Sequence, residues 1–230
     1  MVRLYMTVEG QTEQAFASQI LVEHLAPFQV FLAKPRLTGP SPRRGGWIPQ
    51  GGMFNKFAPA LEDIRRWLLE DKSPDARFTM MVDLYGLPSD CPGYEEAGKL
   101  ADPYDRVEAL ETALADEMGD KRFVPYLQLH EFEALVLSAP DRFGTFLDAD
   151  DDDATAELVR ACQQFKSPEH INHGRQTHPK AQILKHFPDY QQNVDGPLLA
   201  NEIGLQAMRD ACPHFGQWLT ELEQLSDQEG

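Results

Sequence analysis

VRLYMTVEGQTE, residues 2–13, reads as a buried strand, a turn and the opening of a helix. Val2 to Val8 form an apolar, partly β-branched run of strand length. Glu9-Gly10 supplies the turn. From Gln11 the apolar positions Ala15, Phe16, Ile20 and Leu21 recur at helical spacing, with Thr12 expected as the N-cap. The stretch is a β-loop-α unit that leaves an acid at the end of its strand.

The same pattern recurs downstream. Residues 77–82, RFTMMV, are the central-strand candidate and run into Asp83-Leu84-Tyr85-Gly86-Leu87-Pro88. A shorter strand is expected near 29–33, before a stretch from 34 to 52 that is rich in proline and glycine and reads as loop. Phe57, Leu61, Ile64, Leu68 and Leu69 line one face of a helix that Ser73-Pro74 stops. A Glu- and Ala-rich helix follows over 104–118, and residues 123–129, FVPYLQL, read as a strand despite Pro125, ending at His130-Glu131.

This β-α-β-α-β-α-β order predicts an α/β fold, a largely parallel sheet flanked by helices, whose sites sit beyond the carboxyl ends of the strands. After Pro140 the chain changes character, with helical stretches punctuated by Pro168, Pro179, Pro188 and Pro197. The expected organisation is an α/β core over 1–139 and a helical C-terminal extension over 140–230.

With 230 residues the chain is long enough to bury a core without staples. Cys91, Cys162 and Cys212 have no paired spacing, which argues against a disulfide framework and a zinc finger. The start, MVRLYMTVEG, meets Glu9 after a short apolar run and reads neither as a signal peptide nor as a membrane helix. The expectation is a cytoplasmic protein with no membrane partner; its oligomeric state is not written in the composition.

A net charge of −16 argues against a uniformly nucleic-acid-binding surface. Between His24 and Leu61, however, no acid occurs, while Lys34, Arg36, Arg43, Arg44 and Lys56 do. That segment is either a solvated loop or a phosphate-contacting one. The aspartate-rich run 148–153 lacks the ligand spacing and glycine of an EF-hand loop and reads as solvated.

Glu9, Asp83 and the pair Glu131 and Glu133 stand at or just after three expected strand ends, and in a parallel sheet such ends lie side by side. Carboxylates around an open position suit Mg²⁺ (or Mn²⁺) and phosphate chemistry. The alternative is that each acid merely favours the helix N-terminus it precedes. His130 and Glu133 are spaced to share a helix face, but Ala134 replaces any second histidine of a His-Glu-x-x-His zinc motif. His130 is then an acid-base or phosphate partner, or a structural histidine. Thr177-His178-Pro179-Lys180 opens a helix with a proline near N1 and a lysine in the first turn, so Thr177 and Lys180 either hold an anion there or only cap it. Cys212-Pro213-His214-Phe215 reads as core packing. No Gly-rich loop ending in Lys-Ser/Thr is present, so any ATPase activity belongs to a separate subunit.

VEGQTE, VDLYGLP with CPGY, YLQLHEFEALVLS, SPEHIN, THPK and IGLQAMRDACPHFGQWL occur in that order over nearly the whole chain. In this the chain resembles a family of prokaryotic TOPRIM-like proteins catalogued as a domain of unknown function, related to the TOPRIM nucleases of OLD-type and RloB-like systems. The resemblance implies metal-dependent chemistry on nucleic acid, an ATPase partner and a place in defence against phage. It assigns Glu9 and Asp83 to metal binding or acid-base catalysis, with Glu13 either joining them or favouring the helix. Tyr85 departs from the pattern, standing where TOPRIM proteins carry the second acid of an Asp-x-Asp pair. Glu131 or Glu133 then replaces it, or one ion is bound in place of two, or the fold is a non-catalytic binding subunit.

Overall fold

A strand packed on both faces is mostly apolar, and β1 (Val2–Val8) is so apart from its start: Val2, Leu4, Met6 and Val8 are fully enclosed and Thr7 nearly so, while Arg3 is exposed and Tyr5 half-buried. The structure, a computed structural model, describes residues 1–37, 56–147, 152–171, 174 and 176–227. It divides into two units. The first comprises Met1–Leu127 with Glu221–Gly230, the second Gln128–Thr220, whereas the sequence places the boundary at 139 and leaves the C-terminus in the extension.

In the first unit α1 (Gln11–Phe16) widens into a π-turn over Ala17–Leu21, resumes as α2 (Val22–Leu25) and tightens into a 3₁₀ turn at Ala26–Phe28. Two short strands follow, β2 (Val30–Leu32) and β3 (Arg36–Leu37), then α3 (Ala58–Glu70), β4 (Ala76–Asp83), α4 (Tyr94–Ala97), α5 (Pro103–Met118) and β5 (Phe123–Val124). The strands run β2-β1-β4-β5 with β3 also against β1, every pairing of known register being parallel. Helices flank this mostly parallel sheet, the predicted fold class. The strand expected over 123–129 breaks at Pro125, which has no amide to give the ladder; the chain resumes as β6 (Leu127–Gln128).

Polar side chains close the helix ends. Asp90 caps α3 from a distance, its carboxylate accepting from the amides of Phe57 at 2.8 Å and Ala58 at 3.3 Å. At the other end Arg122 donates to the carbonyls of Asp71 (2.6 Å) and Leu68 (3.1 Å), orphans of the last turn. Trp67, not Leu69, completes the buried face of α3; Leu69 is exposed. Tyr5 lies between Trp67 and Phe78, its hydroxyl donating to Asp71 at 2.8 Å. Thr12 is not the N-cap of α1; Gly10 is, in extended backbone, with Gln14 N–H on its carbonyl.

The second unit is helical: α6 (Glu133–Val136), α7 (Phe143–Phe146), α8 (Asp152–Cys162), α9 (Pro179–His186), α10 (Gln192–Ile203), α11 (Leu205–Ala211) and most of α12 (Pro213–Glu223). Phe132, Leu135, Phe143, Leu158, Ile171, Ile183, Leu199, Met208 and Phe215 form its core. Pro179 starts a helix and Pro188 follows one, as expected, but Pro197 sits inside α10, where its burial beside Leu199 and Ala200 outweighs the lost hydrogen bond. Glu169 is fully buried; its two oxygens accept from the amides of His214 and Phe215, both at 3.0 Å, at the start of α12.

Two outcomes follow from the caps. The amide of Phe57, above all, holds the Asp90 carboxyl below the usual range. Its contribution to stability is therefore complete above the unfolded pKa of about 3.9 and is lost as pH falls through the lower folded value. Asp90→Ala should cost about 1 kcal/mol at neutral pH in urea unfolding, while Asp90→Asn keeps the cap and abolishes that share of the acid sensitivity. Glu169→Gln, which turns an amide N–H2 toward a backbone N–H, should cost about 2–3 kcal/mol; an unchanged unfolding midpoint would remove Glu169 from the list of structural anchors.

Candidate functional site

Register decides which acids meet. Val8 is paired with Met81, and Glu9 N–H continues the ladder to the carbonyl of Met81 at 3.2 Å. Both strands therefore deliver their acids to the same carboxyl edge, Glu9 level with Val82 and Asp83 one residue beyond. Glu9 Oε2 accepts the backbone N–H of Asp83 at 3.1 Å, which fixes its carboxylate beside the end of β4. Asp83, the last residue of β4, is half-buried, and the following turn reaches Gly86 at φ +79°, a left-handed conformation suited to glycine.

Glu13 joins this corner from the first turn of α1. It is 3% exposed, and a Cβ at Gly10 would stand 2.8 Å from its Oε2, so glycine there lets the carboxyl fold back over the turn. Burial pushes the Glu13 carboxyl up, against the opposing backbone amides of Glu13 and Gly10. Tyr85 is half-buried in the turn that follows β4.

The donor chemistry of this corner fits a hard divalent cation, since all its groups are carboxylate oxygens. Among the described residues no three His, Cys, Asp or Glu side chains are disposed to hold a metal ion by themselves. Mg²⁺ asks for less: one or two carboxylates, with water and substrate phosphate completing the octahedron. Glu9 and Asp83 are two carboxylates at this edge of the sheet.

Of the other expected site residues, His130, Glu131, Glu133, Thr177 and Lys180 belong to the second unit. His130 and Glu133 do not share a helix face: His130 precedes α6 with φ +64°, and Glu133 is its first residue. His130 is 2% exposed, its Nε2 2.9 Å from the carbonyl of Glu169, the position of a structural histidine. Glu131 Oε1 accepts the backbone N–H of Lys180 at 2.6 Å and lies 2.7 Å from His178 Nδ1. The start of α9, read from the sequence as either an anion site or a simple cap, holds Glu131 itself. His178, not Thr177, stands at its N-cap position. Glu133 is 0% exposed, its Oε2 accepting from Gln192 Nε2 at 3.3 Å and its Oε1 3.5 Å from the Tyr190 hydroxyl. Desolvation, then Glu133, holds the Tyr190 phenol well above its ordinary pKa.

Arg43 and Arg44 lie outside the described residues, as do residues 148–151 of the aspartate-rich run. Arg36 is spent locally, over the Trp67 ring at 3.9 Å and 3.8 Å from Glu70. Sequence reasoning missed Gln192, Tyr190, Glu169 and Asp90. Nothing in their local patterns marks them, because each acts on a residue at least 30 positions away or, like Gln192 on Lys180, on the start of another helix. No helix among the described residues is long and apolar enough to cross a membrane.

Comparison with curated proteins finds no match. Solved structures of the C-terminal region of the Xanthomonas campestris pv. campestris OLD protein are similar to the chain. The form phased with mercury is 13% identical, with TM-score 0.35, over 96% of this chain and 98% of that one. The form phased with platinum is 16% identical, with TM-score 0.33, over 96% and 95%. A family model matches residues 8–223, from the last residue of β1 to the last turn of α12, and the chain belongs to that family, the domain of unknown function DUF4276.

Proposed function

We propose that the chain is a metal-dependent phosphodiesterase of TOPRIM type, a nuclease working with a separate ATPase subunit in defence against phage. The observation that carries the catalytic reading is the meeting of Glu9 and Asp83 at the carboxyl edge of the parallel sheet, with Asp83 N–H on the Glu9 carboxylate. That edge is where sites form in open α/β sheets. The nucleic-acid substrate, the ATPase and the defence role are supported by the TOPRIM-like resemblance of the motifs.

In this reading Glu9 and Asp83 hold Mg²⁺ or Mn²⁺, and Glu13 adds a third carboxyl close by. The ion, when bound, polarises a phosphoryl oxygen and lowers the pKa of a water. Glu9 is oriented by the amide of Asp83, which fixes its carboxylate at the strand end. Gly10 keeps the turn narrow enough for Glu13 to remain within the corner. A chain without a nucleotide-binding glycine loop leaves ATP to its partner.

A second reading, a non-catalytic TOPRIM-like subunit that binds an ATPase or nucleic acid, is favoured by Tyr85, which removes one acid from the corner. Calorimetric titration with Mg²⁺ and Mn²⁺ separates the two, run on the parent, Glu9→Gln and Asp83→Asn, with cleavage of single-stranded and duplex DNA and RNA assayed on the same samples. Glu9→Gln keeps an oxygen for the Asp83 amide, so folding should persist. Loss of a direct ligand should weaken metal binding by more than the roughly 10–100-fold typical of an outer-shell partner, and cleavage should vanish with it. A parent that binds neither ion, with or without nucleic acid, establishes the non-catalytic reading instead.

A further inference from the structure

We propose that Arg106 is a phosphate-binding residue of the first unit, its guanidinium taking a backbone phosphate of the substrate at the sheet edge that carries Glu9 and Asp83. The inference rests on the reading that this edge acts on a phosphodiester, and deepens it by naming a residue that holds the substrate.

Topology sets its place. β4 and β5 are parallel neighbours, so α5, which lies between them in the chain, runs back against the strands and begins at the edge where β4 ends. The far end of α5 agrees: Gly119 closes it just ahead of β5, whose Phe123 pairs with Phe78 near the start of β4. Arg106 is the fourth residue of α5, about 5 Å along its axis. It therefore stands at the end of the helix nearest the carboxyl edge. Val107 and Leu110, enclosed beside it, fix this turn in the core.

The guanidinium is unmet there. Arg106 is half-buried, its Nε is enclosed without an acceptor, and among the described residues no hydrogen bond or ion pair reaches its side chain. Asp102 stands four residues earlier, at ion-pair spacing, yet that carboxylate caps α5 by accepting Tyr104 N–H at 2.8 Å. The other helix neighbours, Pro103, Ala109 and Leu110, are apolar. Arg65, Arg77 and Arg122, the other half-buried arginines of the unit, all have partners: Glu117 for the first, backbone carbonyls for the second, Asp120 and two carbonyls for the third. A guanidinium cannot shed its charge to escape the cost of burial, as a lysine can. An anion carried by a ligand meets that need, and the planar fork matches two oxygens of a phosphate. Glu9 and Asp83 by themselves repel phosphate, and a fixed cation at the same edge opposes that repulsion.

The test compares the parent with Arg106→Met and Arg106→Lys. Binding of a labelled oligothymidylate in EDTA is followed by fluorescence anisotropy across a salt series, with thermal unfolding and cleavage in Mg²⁺ or Mn²⁺ measured on the same samples. Arg106→Met should weaken binding about tenfold or more and reduce the slope of log affinity against log salt by about 0.7, the share of one phosphate contact on a single strand. Its unfolding midpoint should not fall, because the substitution keeps the aliphatic stem and removes a charge that has no partner among the described residues. Arg106→Lys keeps the charge but not the fork, so it should retain the parent's slope and lose part of the affinity. An Arg106→Met that unfolds at a lower temperature, or that keeps the parent's slope, overturns the proposal, as does a parent that does not bind the probe. If the parent cleaves and Arg106→Met binds and cleaves as well as it does, Arg106 is removed and the catalytic reading stands. A reduced slope in Arg106→Met, with a parent that cleaves nothing, leaves Arg106 on the phosphate and removes the catalytic reading instead.

Discussion

The parallel pairing of β1 with β4 is the constraint on which the rest of the first unit depends. Apart from Arg3, Tyr5, Arg77 and Asp83 the residues of both strands are buried, so most of their amides and carbonyls have no water to turn to and must be met in the ladder. A slip of one residue would exchange the two faces of β1 and carry Glu9 past the end of β4. The ladder runs on to Glu9 N–H, and the Glu9 side chain then takes the amide of Asp83, the donor that β4 presents as it leaves the sheet. The geometry of the acidic corner is thus a by-product of satisfying backbone groups.

In the second unit the organising problem is the burial of carboxylates. Glu133 and Glu169 are fully enclosed and Glu131 nearly so, and an ionised carboxylate away from water is costly unless every oxygen is met. Helix starts supply what is needed. Glu131 sits on the first turn of α9 and Glu169 on the first turn of α12, where amides lack partners and the helix dipole favours negative charge. Glu133 is met from α10 through Gln192. These contacts join HEFE to THPK and SPEHIN to CPHF, segments far apart in sequence, and give their company a structural reason.

Legibility varied by element for physical reasons. Residues 2–8 and 77–82 were readable as strands because a strand buried along most of its length needs a mostly apolar, partly β-branched run, which is a local property. The helix over 58–70 was readable too, but its buried face was misjudged at Leu69, since Trp67 competes for the same interior through Tyr5 and only packing decides between them. Thr12 has the chemistry of a cap, yet the chain turns two residues earlier, at Gly10, where the absent side chain makes room for Glu13. The strand over 123–129 failed at its proline, whose missing amide outweighed the β-propensity of its neighbours.

The sequence by itself determined the α/β class, the parallel sheet and the placing of Glu9 and Asp83 at strand ends, because period, apolar runs and turn residues are local signals. Tertiary structure alone decided what each polar side chain answers to. His130 leaves the helix for a left-handed turn and a carbonyl of Glu169; Glu131 becomes the anion of α9; Gln192 stands between Lys180 and Glu133. Such partnerships join residues tens of positions apart. They follow from the demand that each buried donor and acceptor be met, and that demand takes shape only once the helices have packed.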